Sequence, residues 1–168
     1  MKQARIAVVF GSDSDWAVME KCVQQLRDFG IQPHVEVMSA HRNPDRVGDF
    51  ARNAESDGIE VIIAAAGMSN ALAGAVAAHT CLPVIGVPLV SGSLHGMDAL
   101  LSTVQMPPGI PVACVSVGEA GAKNAALFAI QILARHDKQL AAKYRAFKTA
   151  QAEQVEERNA RLQEKLRP

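Results

Sequence analysis

The chain has 168 residues, 49% hydrophobic and only 4% aromatic, with 17 basic and 17 acidic side chains. That length suits one α/β domain and is too short for two cores of ordinary size. A net charge of zero argues against a nucleic-acid binder, which carries a basic excess or stripe, and scarce aromatics leave the core to Ala, Val, Ile and Leu. Ile6–Phe10 is a short apolar run closed by Gly11-Ser12, the pattern of a buried strand and a turn. Trp16, Met19, Val23 and Leu26 fall at helical spacing and predict a helix from Asp15 to Phe29 with Gly30 as its C-cap. His34–Met38 reads as the second strand. Pro44 opens a helix faced by Val47, Phe50 and Ala54, with Gly58 as the stop. There follow strand Val61–Ala65, helix Asn70–His79, strand Pro83–Val87, helix Ala99–Val104, strand Val112–Val117 and the long helix Ala122–His136.

Strands and helices alternating in units of about 25 residues give right-handed crossovers and a parallel sheet between helix layers, a three-layer α/β/α sandwich. Residues 1–136 form this domain. The remainder, 137–168, has 13 charges in 32 residues and apolar residues at Leu140, Tyr144, Phe147, Ala150 and Val155, which predicts an amphipathic C-terminal helix packing on a neighbouring subunit. Helix Asn70–His79 also points to an oligomer, because it has no charged face and its small residues Ala71, Gly74, Ala75 and Ala78 let another backbone approach. A helix packed on its own domain is the alternative for the tail. Val61 to Val90 has no charged residue, yet Pro83, Pro88, Gly67, Gly74, Gly86 and His79 fit strand–helix–strand better than a membrane span. The run Ile6–Phe10 after Met1–Arg5 is too short for a signal-peptide core. Cys22, Cys81 and Cys114 form no CxxC and read as buried reduced thiols of a cytoplasmic protein.

In a doubly wound sheet ligands bind outside the carboxyl ends of the strands, so the loops after strands carry the chemistry. Gly11-Ser12-Asp13-Ser14-Asp15 offers hydroxyls and N–H groups at a helix start, a phosphate or hydroxyl site; simple capping by Ser14 or Asp13 is the alternative. In Ser39-Ala40-His41-Arg42-Asn43-Pro44-Asp45, Arg42 can hold a phosphate by two hydrogen bonds, Ser39 adds a hydroxyl and His41 can move protons near neutral pH. The third loop, Ala65-Ala66-Gly67-Met68-Ser69-Asn70, presents backbone N–H groups, and Asn70 either reads a ligand edge or caps the next helix. Pro88–Ser93 forms a fourth loop. The stretch 105–109 enters strand five from its amino end, away from the site unless a neighbour uses it. His95, in a Gly-flanked loop, stays open, while His79 and His136 suit helix C-termini. With no metal-ligand cluster, no HExxH and no Gly-x-Ser-x-Gly elbow, the loops predict a phosphorylated small substrate and proton transfer at one histidine, without metal or covalent catalysis.

Gly11–Trp16, Ser39–Asp45, Pro83–Pro88 and Gln105–Ala113 resemble the aminoimidazole ribonucleotide carboxylase family of purine biosynthesis, most of all its bacterial mutase branch, over residues 4–150. The resemblance implies a flavodoxin-like fold, a homo-octamer and no cofactor. It also implies substrate binding by Ser12, Ser14, Asp15, Ser39, Ala40, Arg42, Ala66, Gly67, Ser69, Asn70 and Leu72, with Asp15 on ribose hydroxyls and Arg42, Ser14 and Ser39 around the phosphate. His41 becomes the proton carrier while the Ala66–Asn70 loop holds carbon dioxide or the carboxylate. One departure stands out. The mutase branch has Gly-Gly-Ala-Ala-His-Leu-Pro-Gly where this chain has Gly67-Met68-Ser69-Asn70-Ala71-Leu72-Ala73-Gly74. Ser-Asn-Ala-Leu resembles the branch that carboxylates the aminoimidazole ribonucleotide directly with carbon dioxide, although that branch has lysine where Arg42 stands. Three activities are therefore expected in turn: the mutase reaction, direct carboxylation, and a non-catalytic phosphoribosyl-ligand module on the same fold.

Overall fold

Two strands that carry no polar side chain become the centre of the sheet. β1 (Ile6–Phe10) is buried throughout, and β3 (Val61–Ala66) is buried except at its last residue, as parallel strands covered on both faces must be. In the computed structural model, which describes residues 4–167, they are joined by β2 (His34–Val37), β4 (Val84–Pro88) and the short β5 (Ala113–Cys114). Every neighbouring pair is parallel, in the order β2-β1-β3-β4-β5, the flavodoxin-like winding. Residues 1–3 and Pro168, which belong to the predicted N-terminal start and C-terminal extension, lie outside the described residues.

A single 3₁₀ turn, Asp13–Asp15, leads from β1 into α1 (Trp16–Asp28); α2 (Pro44–Asn53), α3 (Leu72–Ala77), α4 (Met97–Val104), α5 (Glu119–Ala134) and α6 (Lys138–Lys165) follow. The chain steps from β1 outward to β2, then back across β1 to β3. Right-handed crossovers then put α1 on one face and α2, α3 and α4 on the other. On the second face, Ala7, Val9 and Ile62 of the sheet share a core with Val47 and Ala51 of α2 and Leu72 and Val76 of α3. The alternating residues Ile6 and Val8, also buried, face α1. Gly30 (φ 83°) and Gly58 (φ 82°) end their segments in the left-handed conformation that the sequence reserved for them.

Two elements fall well short of expectation, each for a local reason, and two cysteines differ in burial. The predicted helix Asn70–His79 is cut to Leu72–Ala77, because Met68 takes a left-handed φ of 53° and the N–H groups of Asn70 and Ala71 close short turns onto Met68 O and Ser69 O. The predicted strand Val112–Val117 pairs in register only at Ala113–Cys114. Beyond it Val115 N still donates to Gly86 O at 3.1 Å and Gly118 N to Pro88 O at 2.9 Å, while Gly118 turns the chain (φ 75°) toward α5. Of the cysteines read as buried, Cys22 is; Cys114 is half-buried and Cys81, in the turn before β4, is exposed. Burial pushes the Cys22 thiol up to about 12.

The chain divides into two compact units between Ile132 and Leu133. In the second, Asp137 caps α6 by accepting from Leu140 N at 3.0 Å, and the Tyr144 and Phe147 rings lie 6.2 Å apart. The amphipathic pattern read from Leu140 to Val155 leaves only Leu140 buried, and every residue from Gln151 to Arg167 is exposed. Among the described residues no helix is long and apolar enough to cross a membrane; the uncharged stretch is shared out among β3, α3 and β4.

Candidate active site

Reversal of winding at β1 sends the loops after β1 and β3 to opposite faces and opens a crevice between them. A cavity of about 380 Å³ occupies that place, lined by the loops after β1, β2, β3 and β4, a size that suits a small-molecule ligand. The first loop supplies Ser12, Ser14 and Asp15, and the second Ser39, Ala40, His41 and Arg42. From the third come Ala66, Gly67, Ser69 and Leu72. Gly11, Met68, Ala71 and Ser91 also line it; the first, second and fourth fall in loops read from the sequence as carrying the chemistry, but none of the four was named as substrate-binding. Ser91 had a legible signal, since it follows a strand's carboxyl end, as His41 does.

Hydrogen bonding sets the shape of the first loop. Ser12 Oγ accepts from Ser14 N (3.3 Å) and Ser14 Oγ (2.8 Å), while Ser12 N donates to Asp15 Oδ2 at 3.0 Å. This reciprocal capping box makes Ser12, not Ser14 or Asp13, the cap. Burial raises the Asp15 carboxyl above the usual carboxylate range. The N–H of Ser12 opposes that rise, the charge of Asp13 adds to it, and the N–H of Gly11 opposes it again.

The second loop is tied down by Asn43. Its carboxamide oxygen accepts from Ser39 N at 2.7 Å instead of capping α2, and Arg42 N donates to Ser39 Oγ at 3.3 Å. These bonds fix the backbone of residues 39–43 and leave the side chains of His41 and Arg42 exposed at the cavity. The Arg42 guanidinium makes no ion pair among the described residues. It also borders a groove shared with Ser12, Asp13, Ser39 and Asn43, so one cation serves both concavities. A cation amid hydroxyls can hold an anionic group, and the Asp15 carboxylate lining the same cavity can accept from sugar hydroxyls.

Asn70 is the exception among the predicted ligand residues. It does not line the cavity; its side chain is buried and donates from Nδ2 to Thr103 Oγ1 at 2.9 Å and Val87 O at 3.4 Å. A short polar residue flanking an apolar helix reads from sequence as a ligand group or a cap, and the structure shows neither. Met68, two residues earlier, holds a left-handed conformation that costs a non-glycine residue about 1–3 kcal/mol and marks a constrained loop. Gly67 permits close approach of the fourth loop, since a Cβ there would stand 2.5 Å from Ser91 Cβ. His95, exposed with φ 50°, lies outside the cavity. So does the 105–109 stretch, whose Met106 packs over Gly74 of α3. Among the described residues no cluster of three His, Cys, Asp or Glu is placed to hold a metal ion.

The sequence profile of the AIR carboxylase family matches residues 5–154. N5-carboxyaminoimidazole ribonucleotide mutase of Escherichia coli (strain K12) is 50% identical over 152 residues, 90% of each chain. The Haemophilus influenzae protein of the same name is 51% identical over 154 residues, 92% of this chain and 94% of that one. Among solved structures, Treponema denticola PurE superposes with a TM-score of 0.85 at 32% identity, covering 94% of this chain and 97% of that one. With profile, relatives and fold in agreement over nearly the whole chain, it belongs to the AIR carboxylase family.

Proposed function

We propose that the chain is an N5-carboxyaminoimidazole ribonucleotide mutase of purine biosynthesis, forming 4-carboxy-5-aminoimidazole ribonucleotide with His41 as proton carrier. The observation that carries the reading is the adjacency of His41 and Arg42 on a loop lining the same cavity as the small-residue third loop. The order of the strands supports an orientation for the substrate. Arg42, Ser14 and Ser39 take the phosphate and Ser12 and Asp15 the ribose, at the β1–β2 side. The ring and its carboxyl group then lie toward Ala66, Gly67, Ser69 and Leu72 on the β3 side, with the backbone at Ala40 beside them.

The chemistry needs one group that takes and returns a proton. As the carbamate C–N bond breaks, its electron pair returns to nitrogen, which takes a proton from His41, and carbon dioxide stays in the cavity. The electron-rich ring carbon attacks it, forming the new C–C bond. His41 then removes the proton from that carbon, and the ring regains its aromaticity. Only a proton and carbon dioxide move, so the scheme calls for no cofactor.

A second reading, direct carboxylation of the aminoimidazole ribonucleotide, is favoured by one observation: the third loop is Ser69-Asn70-Ala71-Leu72 with Met68 left-handed ahead of it. A paired absorbance assay separates them. One cuvette holds the N5-carboxylated ribonucleotide, the other the aminoimidazole ribonucleotide with bicarbonate and carbonic anhydrase. Conversion in the first, with little bicarbonate dependence, is expected. Turnover in the second alone would establish the carboxylase, and silence in both would leave a phosphoribosyl-ligand binding module.

We further infer a homo-oligomer, an octamer as in the resemblance, working in the cytoplasm. Gly74, Ala75 and Ala77 of the charge-free α3 are only half-buried, Ala78 is exposed, and Val155 and Leu162 of α6 and Leu166 at its C-cap are bare. A domain spanning 1–136 with an extension at 137–168 laid on a neighbouring subunit accounts for both. Light scattering at micromolar concentration should give a mass several times 17.9 kDa; a clean monomer would sink the idea.

A further inference from the structure

Two polar side chains are fully buried among the described residues, Asn70 and Thr103, and they are bonded to each other. Replacing such a pair by apolar groups of the same shape is near neutral for stability, so its presence points to a demand of geometry. Its surroundings show what is being held. Asn70 lies between Ser69 and Ala71, both of which line the cavity. Its own N–H closes onto Met68 O at 2.9 Å, in a tight turn over Ser69 that directly follows the left-handed residue. A residue kept in that conformation persists only where its neighbours over-determine it.

Thr103, on α4, is itself immobilised. Its hydroxyl donates to Ala99 O at 2.7 Å while accepting from Asn70, and its methyl sits where a Cβ on Gly86 would stand 2.3 Å away. The carboxamide of Asn70 thus refers the third loop to α4 and, through Val87 O, to β4, in addition to the strand from which the loop emerges.

We propose that Asn70 and Thr103 are positioning residues: their buried hydrogen bond sets the third loop at the distance from His41 that the carboxyl transfer requires. This rests on the functional reading above. Neither residue lines the cavity, and the β1–β2 side proposed for the phosphate lies outside their reach.

Thr103→Val removes the hydroxyl and keeps the shape, and Thr103→Ser restores the hydroxyl without the methyl. In Thr103→Val kcat is expected to fall about 10- to 100-fold, since a misplacement of about 1 Å can cost that much. The inhibition constant of ribose 5-phosphate should stay within about twofold, and Thr103→Ser should recover most of the loss. Amide hydrogen exchange across 67–71 should quicken about tenfold in the valine variant and match wild type in the serine variant. An unchanged kcat in Thr103→Val, equal impairment in Thr103→Ser, or equal exchange in all three proteins would overturn the proposal. A wild type silent in both cuvettes would overturn the functional reading instead, and the exchange comparison would still decide whether the bond holds the loop.

Discussion

His41→Asn is expected to lower kcat by about two to four orders of magnitude, the usual contribution of a positioned proton carrier. Asparagine has a similar size and polarity but cannot take a proton at neutral pH, so the substitution isolates that one property. The loop should not notice the change. His41 is exposed and makes no hydrogen bond among the described residues, and the loop is shaped by Asn43 and Ser39 through backbone bonds of 2.7 and 3.3 Å. Substitutions away from packed or bonded features change stability by about 0.5 kcal/mol or less, so thermal unfolding should coincide with wild type. Product affinity, measured by titration calorimetry, should stay within about threefold, because the proposed mechanism puts His41 on the reacting carbon and not on the phosphoribosyl group. Turnover within a factor of about ten of wild type would remove His41 from the mechanism.

What the sequence made legible follows the range of the forces involved. Ile6–Phe10 and Val61–Ala65 are uninterrupted apolar runs, and burial on both faces of a parallel sheet requires nothing else, so their bounds agree within one residue with the strands formed. Pro44 and the turn glycines Gly30 and Gly58 act within a few residues of themselves and were equally readable. The meeting of the first two loops followed from winding alone, because in such sheets the carboxyl ends of adjacent strands share a crevice. What escaped depends on contacts distant in the chain. Asn70 is separated from Thr103 by 33 positions, and no local pattern distinguishes an asparagine aimed at a ligand from one aimed at a buried threonine. The short α3 has a local origin instead: its composition favours ten helical residues, and the tight turns at Asn70 and Ala71 take away the first two. β5 fell short because its edge position lets the chain leave the ladder as soon as Gly118 allows a turn.

Arg42→Met should raise KM about 10- to 100-fold, the worth of hydrogen bonds to a charged group, while changing kcat by less than about threefold. The guanidinium has no protein partner to release it from or to leave unpaired among the described residues, so all of its charge is available to a ligand. Only the side chain changes; the N–H bond to Ser39 Oγ survives because it belongs to the backbone. Arg42→Lys should fall between the two, since an ammonium retains the charge but cannot grip a phosphate with two parallel donors. Steady-state kinetics on both variants, beside His41→Asn, would then separate the neighbouring side chains by the parameter each one moves. If Arg42→Met lowered kcat as His41→Asn does and left KM alone, the guanidinium would have to face the reacting carboxyl group. The substrate would then lie the other way round in the cavity, with its phosphate against the third loop.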